Sequence, residues 1–198
     1  MNVHSIKCDA VTEVEKRTAI LNATLDLISE HGFHGAPISK IAKQSGVSAG
    51  IIYHYFADKD DLIQALYVHI KEHLLEAMMI GNPQDAPWPD SFITLWLNSY
   101  HYYVRHPQQT RFIEQYENSP YPQFEENEDL LAKYAWLVQL IDEAQAKGYV
   151  KDLPFPVIHE LTMHVAAGLA KQQIKGSLFL TEDELLAVAE ACLAAIAR

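Results

Sequence analysis

His69 and His73 stand four residues apart, the spacing at which two imidazoles on one helical face can share a metal ion, and Glu72 and Glu76 lie beside them. The chain holds ten histidines, so a pair at this spacing also arises by chance, and solvated or dimer-edge histidines are the plainer reading. No cysteine or third histidine in the neighbouring sequence completes a ligand set. A helical metalloenzyme built on His69 and His73 stands as an alternative, while no enzyme activity, metal or cofactor is expected. Cys8 and Cys192 lie at opposite ends without metal-ligand spacing, which suits a reduced, cytoplasmic protein. Cys192 falls on an apolar helix with nothing basic beside it to stabilise a thiolate, and reads as a small core residue.

A different chemistry is written in residues 37–56, PISKIAKQSGVSAGIIYHYF. Ile38, Ile41 and Ala42 recur at i, i+3 and i+4, the apolar stripe of a short helix that Pro37 can open. Gly46 can take the left-handed conformation that ends it, with Val47 as an apolar plug for the corner. Ser48 then supplies a hydroxyl to cap the free amides of Gly50 or Ile51 at the start of a second helix. Val47, Ile52 and Phe56 would pack inward, leaving Ser48, Ala49, Gly50, Ile51, Tyr53 and His54 for a partner. Two short helices on a glycine corner form a helix-turn-helix, whose second helix can enter a DNA major groove. Small side chains at its leading end let the backbone come close, and the free amides near Ser48 suit a phosphate.

The wider stretch, residues 17–62, closely resembles the amino-terminal domain of the tetracycline-repressor (TetR) family of transcriptional regulators. The resemblance is carried by Ile20-Leu21, Leu27-Ile28, Gly32-Phe33, Ile41-Ala42, Gly46-Val47-Ser48, Gly50, Tyr53, Tyr55-Phe56 and Lys59 followed by Leu62. It implies a homodimer that binds a palindromic double-stranded operator, with Lys40, Ser48, Tyr53, His54 and Lys59 on phosphates and Ala49, Gly50 and Ile51 at base edges. Ala49 replaces a basic residue frequent in the family, and Ile51 a hydroxyl. Base reading should therefore lean on thymine methyl groups and on duplex shape.

The formal charge of −11 is unevenly spread: residues 1–61 hold six Lys/Arg and eight Asp/Glu, the remainder nine and eighteen. The acidity sits mainly outside the head. Even so, the head is not basic, so Lys16, Arg17, Lys40, Lys43 and Lys59 must collect on one face, and the salt dependence of binding should be modest. With 49% apolar residues the chain can build a sizeable core, while no run of eighteen apolar residues or secretory leader is evident.

The elements that would position these residues read as nine helices without strands, an all-α chain. Residues 1–11 are expected to be a mobile tail, and Thr12 with Glu15 a capping box opening a helix that Gly32 closes. Asp58 caps a helix running to Gly81 that, in the family, joins the reading head to the body. Beyond the turn-rich NPQDAPWP, helices are expected over 90–106, 108–118, 130–147 and 157–175, and Thr181 with Glu184 opens the last. The division is a helix-turn-helix domain over 1–61 and an effector-binding and dimerisation domain over 62–198.

Two features of that body bear on function. Ala166, Ala167, Gly168 and Ala170, then Ala187, Ala191, Ala194 and Ala195, make the last two helices small-sided and apolar on more than one face; the family pairs these helices across a two-fold axis. The middle helices are aromatic-rich, and although such stripes usually form core, the family binds effectors there. Trp96, Tyr100, Tyr103, Phe112, Tyr116 and His164 are the ligand-binding candidates. The reading is a ligand-responsive DNA-binding regulator, most often a repressor in this family, released from DNA by a small-molecule effector. The alternative to operator binding is a dimeric small-molecule-binding helical protein.

Overall fold

The computed structural model describes residues 3–121 and 128–198, with side chains described from residue 13 onward. The side chains of Cys8 and Thr12, and the whole of Phe124, lie outside what is described. The first helix, α1 (Val3–Gly35), begins well before the expected cap at Thr12 and takes in most of the stretch expected to be a tail. No proline or glycine interrupts the sequence before Gly32, and Ile6, Ala10 and Val14 recur every fourth residue, a helical signal the box at Thr12 obscured. Gly32 does end the regular geometry, at φ 70°, ψ 176°, and kinks the last turn.

Then come α2 (Ile38–Ser45) and α3 (Ala49–Tyr55). Pro37 serves as N-cap rather than first helical residue, its carbonyl accepting the amides of Lys40 (2.9 Å) and Ile41 (3.1 Å). The fourth helix, α4 (Lys59–Met78), opens on a reciprocal cap: Asp58 Oδ1 accepts the Asp61 amide and Asp61 Oδ2 accepts the Ala57 amide, each at 2.8 Å. It stops at Met78, short of the expected Gly81.

A short 3-10 turn (Pro83–Asp85) leads to α5 (Asp90–Arg105), α6 (Pro107–Glu117) and α7 (Glu128–Ala146). The helix expected over 157–175 is divided into α8 (Phe155–Leu161) and α9 (Met163–Ile174) by Thr162, at φ −128°, ψ −80°. No proline or glycine makes this break. The Thr162 hydroxyl donates back to the Ile158 carbonyl at 2.6 Å, and the Thr162 carbonyl is taken by the Trp96 indole N–H at 3.0 Å. The last helix is α10 (Glu182–Ile196), with the Thr181–Glu184 capping box in place. Among the described residues all nine expected helices are present, one of them in two pieces, and the fold is all-α apart from an isolated antiparallel bridge between Val150 and Ala197.

The chain forms two compact units. Unit 1 holds the described residues up to 69 together with 111–121; unit 2 holds 70–110 and 128–198. They part within α4 and within α6, so the expected division at 61/62 falls inside unit 1. Unit 1 buries Ile20, Leu21, Ile28, Ile41, Ile52, Phe56 and Leu62. The core of unit 2 joins Phe92, Trp96 and Tyr100 of α5, Ile141 of α7, Ala166 and Ala170 of α9, and Leu185, Ala189 and Cys192 of α10. Burial pushes the Cys192 thiol up, which fits a core residue.

Candidate nucleic-acid interface and ligand cleft

Three local devices hold α3 in position. Gly46 adopts φ 74°, ψ 13°, and a Cβ there would meet nothing within 4 Å, so its backbone angle and not space demands glycine. The Ser48 hydroxyl accepts the Ile51 amide at 3.3 Å, the expected cap. Ile52 and Phe56 are buried and anchor the inner side, with Val47 half-buried in the corner. Arg17 of α1 lies over the Phe56 ring at 5.6 Å, and the Tyr55 hydroxyl donates to the Glu13 carbonyl at 3.2 Å, tying α3 to α1.

What remains outward is the expected set. Ser48, Ala49, Gly50, Tyr53 and His54 are exposed, Tyr53 to 53%, and Ile51 is half-buried. Gly50 sits in ordinary helical geometry, and a Cβ there would make only a 3.8 Å contact with the Ser48 hydroxyl. The fold therefore does not require glycine at this position. The residues 46–50, GVSAG, also have the spacing of a hydrolase nucleophile elbow, but an elbow needs a strand before its serine. Here a helix precedes, and Ser48 is spent as a cap.

The cations are less evenly available. Lys16, Arg17, Lys40 and Lys43 are exposed, but Lys59 is half-buried and donates to the Phe33 carbonyl at 2.5 Å, and Lys40 donates to the Gly35 carbonyl at 3.4 Å. Both lysines thus brace the corner between α1 and α2, an attachment that spacing alone could not show. An ammonium carries three donors, so each retains protons for a phosphate.

The six ligand candidates do not stand together. Phe112 and Tyr116 belong to unit 1, where Phe112 meets Phe33 edge-on at 6.3 Å and Tyr116 stacks on Tyr67 at 4.0 Å. In the same cluster Tyr121 donates to Asp60 at 3.0 Å; burial and that carboxylate push its hydroxyl up to about 12. Trp96 and Tyr100 lie parallel in unit 2, and the Tyr100 hydroxyl donates to Gln173 Oε1 at 2.5 Å. Tyr103 is half-buried, its carbonyl accepting the Thr110 hydroxyl at 2.8 Å. His164 is exposed, with Nδ1 3.1 Å from Glu160 Oε1.

None of the six lines the cleft found in unit 2. Its walls are Phe92 and Leu95 of α5, Leu137, Leu140 and Ile141 of α7, and Phe155, Ile158, His159, Thr162 and Met163 around the α8–α9 break, enclosing about 10 Å³, room for about one water molecule. Sequence reading missed this lining because it looked for aromatic side chains, whereas the wall is mostly aliphatic and is shaped by a break that no residue type announces. Trp96 reaches a lining residue through its bond to the Thr162 carbonyl.

Comparison with known proteins agrees with this geometry. Residues 20–66 match the family model for bacterial regulatory proteins of the tetR family, and residues 87–197 match the tetracyclin repressor-like C-terminal domain. The chain is similar to the HTH-type transcriptional regulator BetI of Klebsiella pneumoniae (strain 342), 45% identical over 64 residues; the matched stretch spans 32% of this chain and 33% of that regulator. A TetR family transcription regulator from Marinobacter aquaeolei VT8 superimposes with a TM-score of 0.88 at 22% identity, covering 95% of this chain and 98% of that one. A TetR-family protein from Vibrio parahaemolyticus gives 0.79 at 28% identity, covering 92% and 99%. No described helix is long and apolar enough to cross a membrane. With its exposed helix-turn-helix inside one family match and over half of its length inside the other, the chain belongs to the TetR family of DNA-binding transcriptional regulators.

Proposed function

We propose that the protein is a homodimeric repressor that holds a palindromic operator through α3 and is released by an apolar small molecule. The observation that carries the DNA half is the division of α3 into a buried side, Ile52 with Phe56, and an exposed side of Ser48, Ala49, Gly50, Tyr53 and His54 that holds no carboxylate. In this reading Ala49, Gly50 and Ile51 approach base edges, while Ser48, Tyr53, His54, Lys40 and Lys59 hold phosphates. Residues 1–61 act as the reading head and 62–198 as the effector and dimer domain.

Support for a dimer comes from α10. Ala166, Ala170 and Ala189 are spent inside the core, but Leu186, Ala187, Ala191, Ala194 and Ala195 face outward, and Phe179 before the helix is 77% exposed. A second copy would cover this surface. The effector is assigned to unit 2, where the cleft walls are apolar and would have to part to admit it. Trp96, Tyr100, Tyr103 and His164 lie in this unit and remain ligand candidates, whereas Phe112 and Tyr116 lie in unit 1. An effector shifts the equilibrium toward release only if it binds the released form more tightly.

Fluorescence anisotropy with the DNA flanking the protein's own coding region tests the reading. Saturable binding that Tyr53→Ala weakens at least tenfold is expected. Equal affinity for that DNA and an unrelated duplex would overturn it.

A further inference from the structure

His159, Glu160 and His164 form a cluster that no part of the DNA-binding reading uses. One ligand atom from each lies within 4.8 Å of the other two, and His164 Nδ1 is already 3.1 Å from Glu160 Oε1. The two imidazoles have ring centroids 6.4 Å apart and meet at 78°. Around a tetrahedral zinc ion with bonds near 2.0–2.2 Å, neighbouring ligand atoms stand ~3.3 Å apart. The Glu160–His164 pair is close to that separation, and closing on the half-buried His159 asks for rotation of the exposed Glu160 and His164 over a span of at most 4.8 Å.

The cluster depends on the break in the fold. On an unbroken helix His159 and His164, five residues apart, would point roughly 140° away from each other. Thr162 interrupts the helix between them, so that α8 supplies His159 and Glu160 while α9 supplies His164. We infer that these three side chains form a site for a divalent transition metal of the zinc type, two imidazole nitrogens and one carboxylate oxygen from the protein, with solvent in the remaining position. Two imidazoles select such an ion over magnesium or calcium, which prefer oxygen donors throughout. Because His159 and Thr162 also line the unit 2 cleft, a bound ion ties α8 to α9 at its rim. The exposed side chains leave the ion an entry path, since Glu160 and His164 are 66% and 47% exposed. The inference stands apart from operator binding.

The test is calorimetric titration of the chelator-treated full-length protein with zinc chloride, paired with cobalt chloride as an absorbing substitute. One zinc per chain is expected, with a tetrahedral cobalt spectrum and a rise in melting temperature on zinc addition. His164→Gln and Glu160→Gln should each weaken zinc at least tenfold with unchanged far-UV circular dichroism, and His69→Gln should not. Absence of saturable binding below about 100 µM zinc would overturn the site. So would stoichiometric binding that persists in the His159→Gln, His164→Gln double variant.

Discussion

Gly46 and Gly50 lie four residues apart in the reading head and are glycines for different reasons. At Gly46 the backbone sits at φ 74°, so Gly46→Ala forces a side chain into the left-handed region and should cost about 1–2 kcal/mol, seen as a lower melting temperature. Gly50 is regular helix with room for a methyl group, so Gly50→Ala should hold or raise stability by up to about 0.5–1 kcal/mol. If the backbone of α3 lies close against the bases, that same methyl group should weaken operator binding at least tenfold. Melting and anisotropy on the one variant separate the two effects: unchanged DNA affinity would mean the backbone at Gly50 stays clear of the groove. Ile51 is the partner test. Ile51→Thr keeps the β-branch and its methyl group but exchanges the ethyl arm for a hydroxyl, and operator selection should drift away from thymine at the matching position. An unchanged preference would take Ile51 off the reading surface.

Elements whose ends are fixed by local chemistry were legible in the sequence. Ser48, Asp58 and Thr181 each cap their helix with their own side chain, and Gly46 turns the chain through its own backbone. The break at Thr162 was not legible, because its cause includes a hydrogen bond from Trp96, sixty-six residues away. The same break explains why the histidine cluster escaped notice, while His69 and His73, at helical spacing, drew attention. The exposed side of α3 was readable because a helix-turn-helix is a local motif. The cleft lining was not, since it gathers side chains from α5, α7, α8 and α9. The Thr181–Glu184 box yields a pH test of element stability. Glu184 accepts the Thr181 amide at 2.8 Å and its hydroxyl at 2.9 Å, and these bonds hold its carboxyl below the ordinary 4.5. A group with a lowered folded pKa stabilises above its unfolded value and loses that contribution as pH falls through the lowered one. In thermal melts, wild type should therefore exceed Glu184→Ala by a constant margin above about pH 4.5, and the margin should shrink on further acidification. A margin that grows in acid would show that the carboxylate is not what the cap uses.

An acidic chain must obtain DNA affinity from arrangement rather than bulk charge. Each head offers Lys16, Arg17, Lys40 and Lys43 as exposed cations and the half-buried Lys59 as a fifth, so a dimer neutralising about ten phosphates would show log affinity falling with log salt at a slope no steeper than about −9. That is a limited resource for one head alone, and in the proposed dimer pairing is what makes it sufficient. Two heads joined by a fixed interface bind a two-half-site operator as one body, so the second contact gains from the first without any new bond and can add 10²–10⁴ in affinity. The outward side of α10 carries the proposed interface, and Leu186, 41% exposed, lies on it. Leu186→Glu should leave the fold intact, since that side chain is not in the core, and should convert the dimer to monomer in sedimentation. Its effect on DNA should then depend on the probe. A duplex with a single half-site should bind the variant and the wild type alike, because α3 is untouched, whereas the full palindrome should lose at least a hundredfold. Equal losses on both probes would mean that the substitution damaged the head, and a variant that remained dimeric with unchanged operator affinity would place the two-fold contact on some surface other than α10.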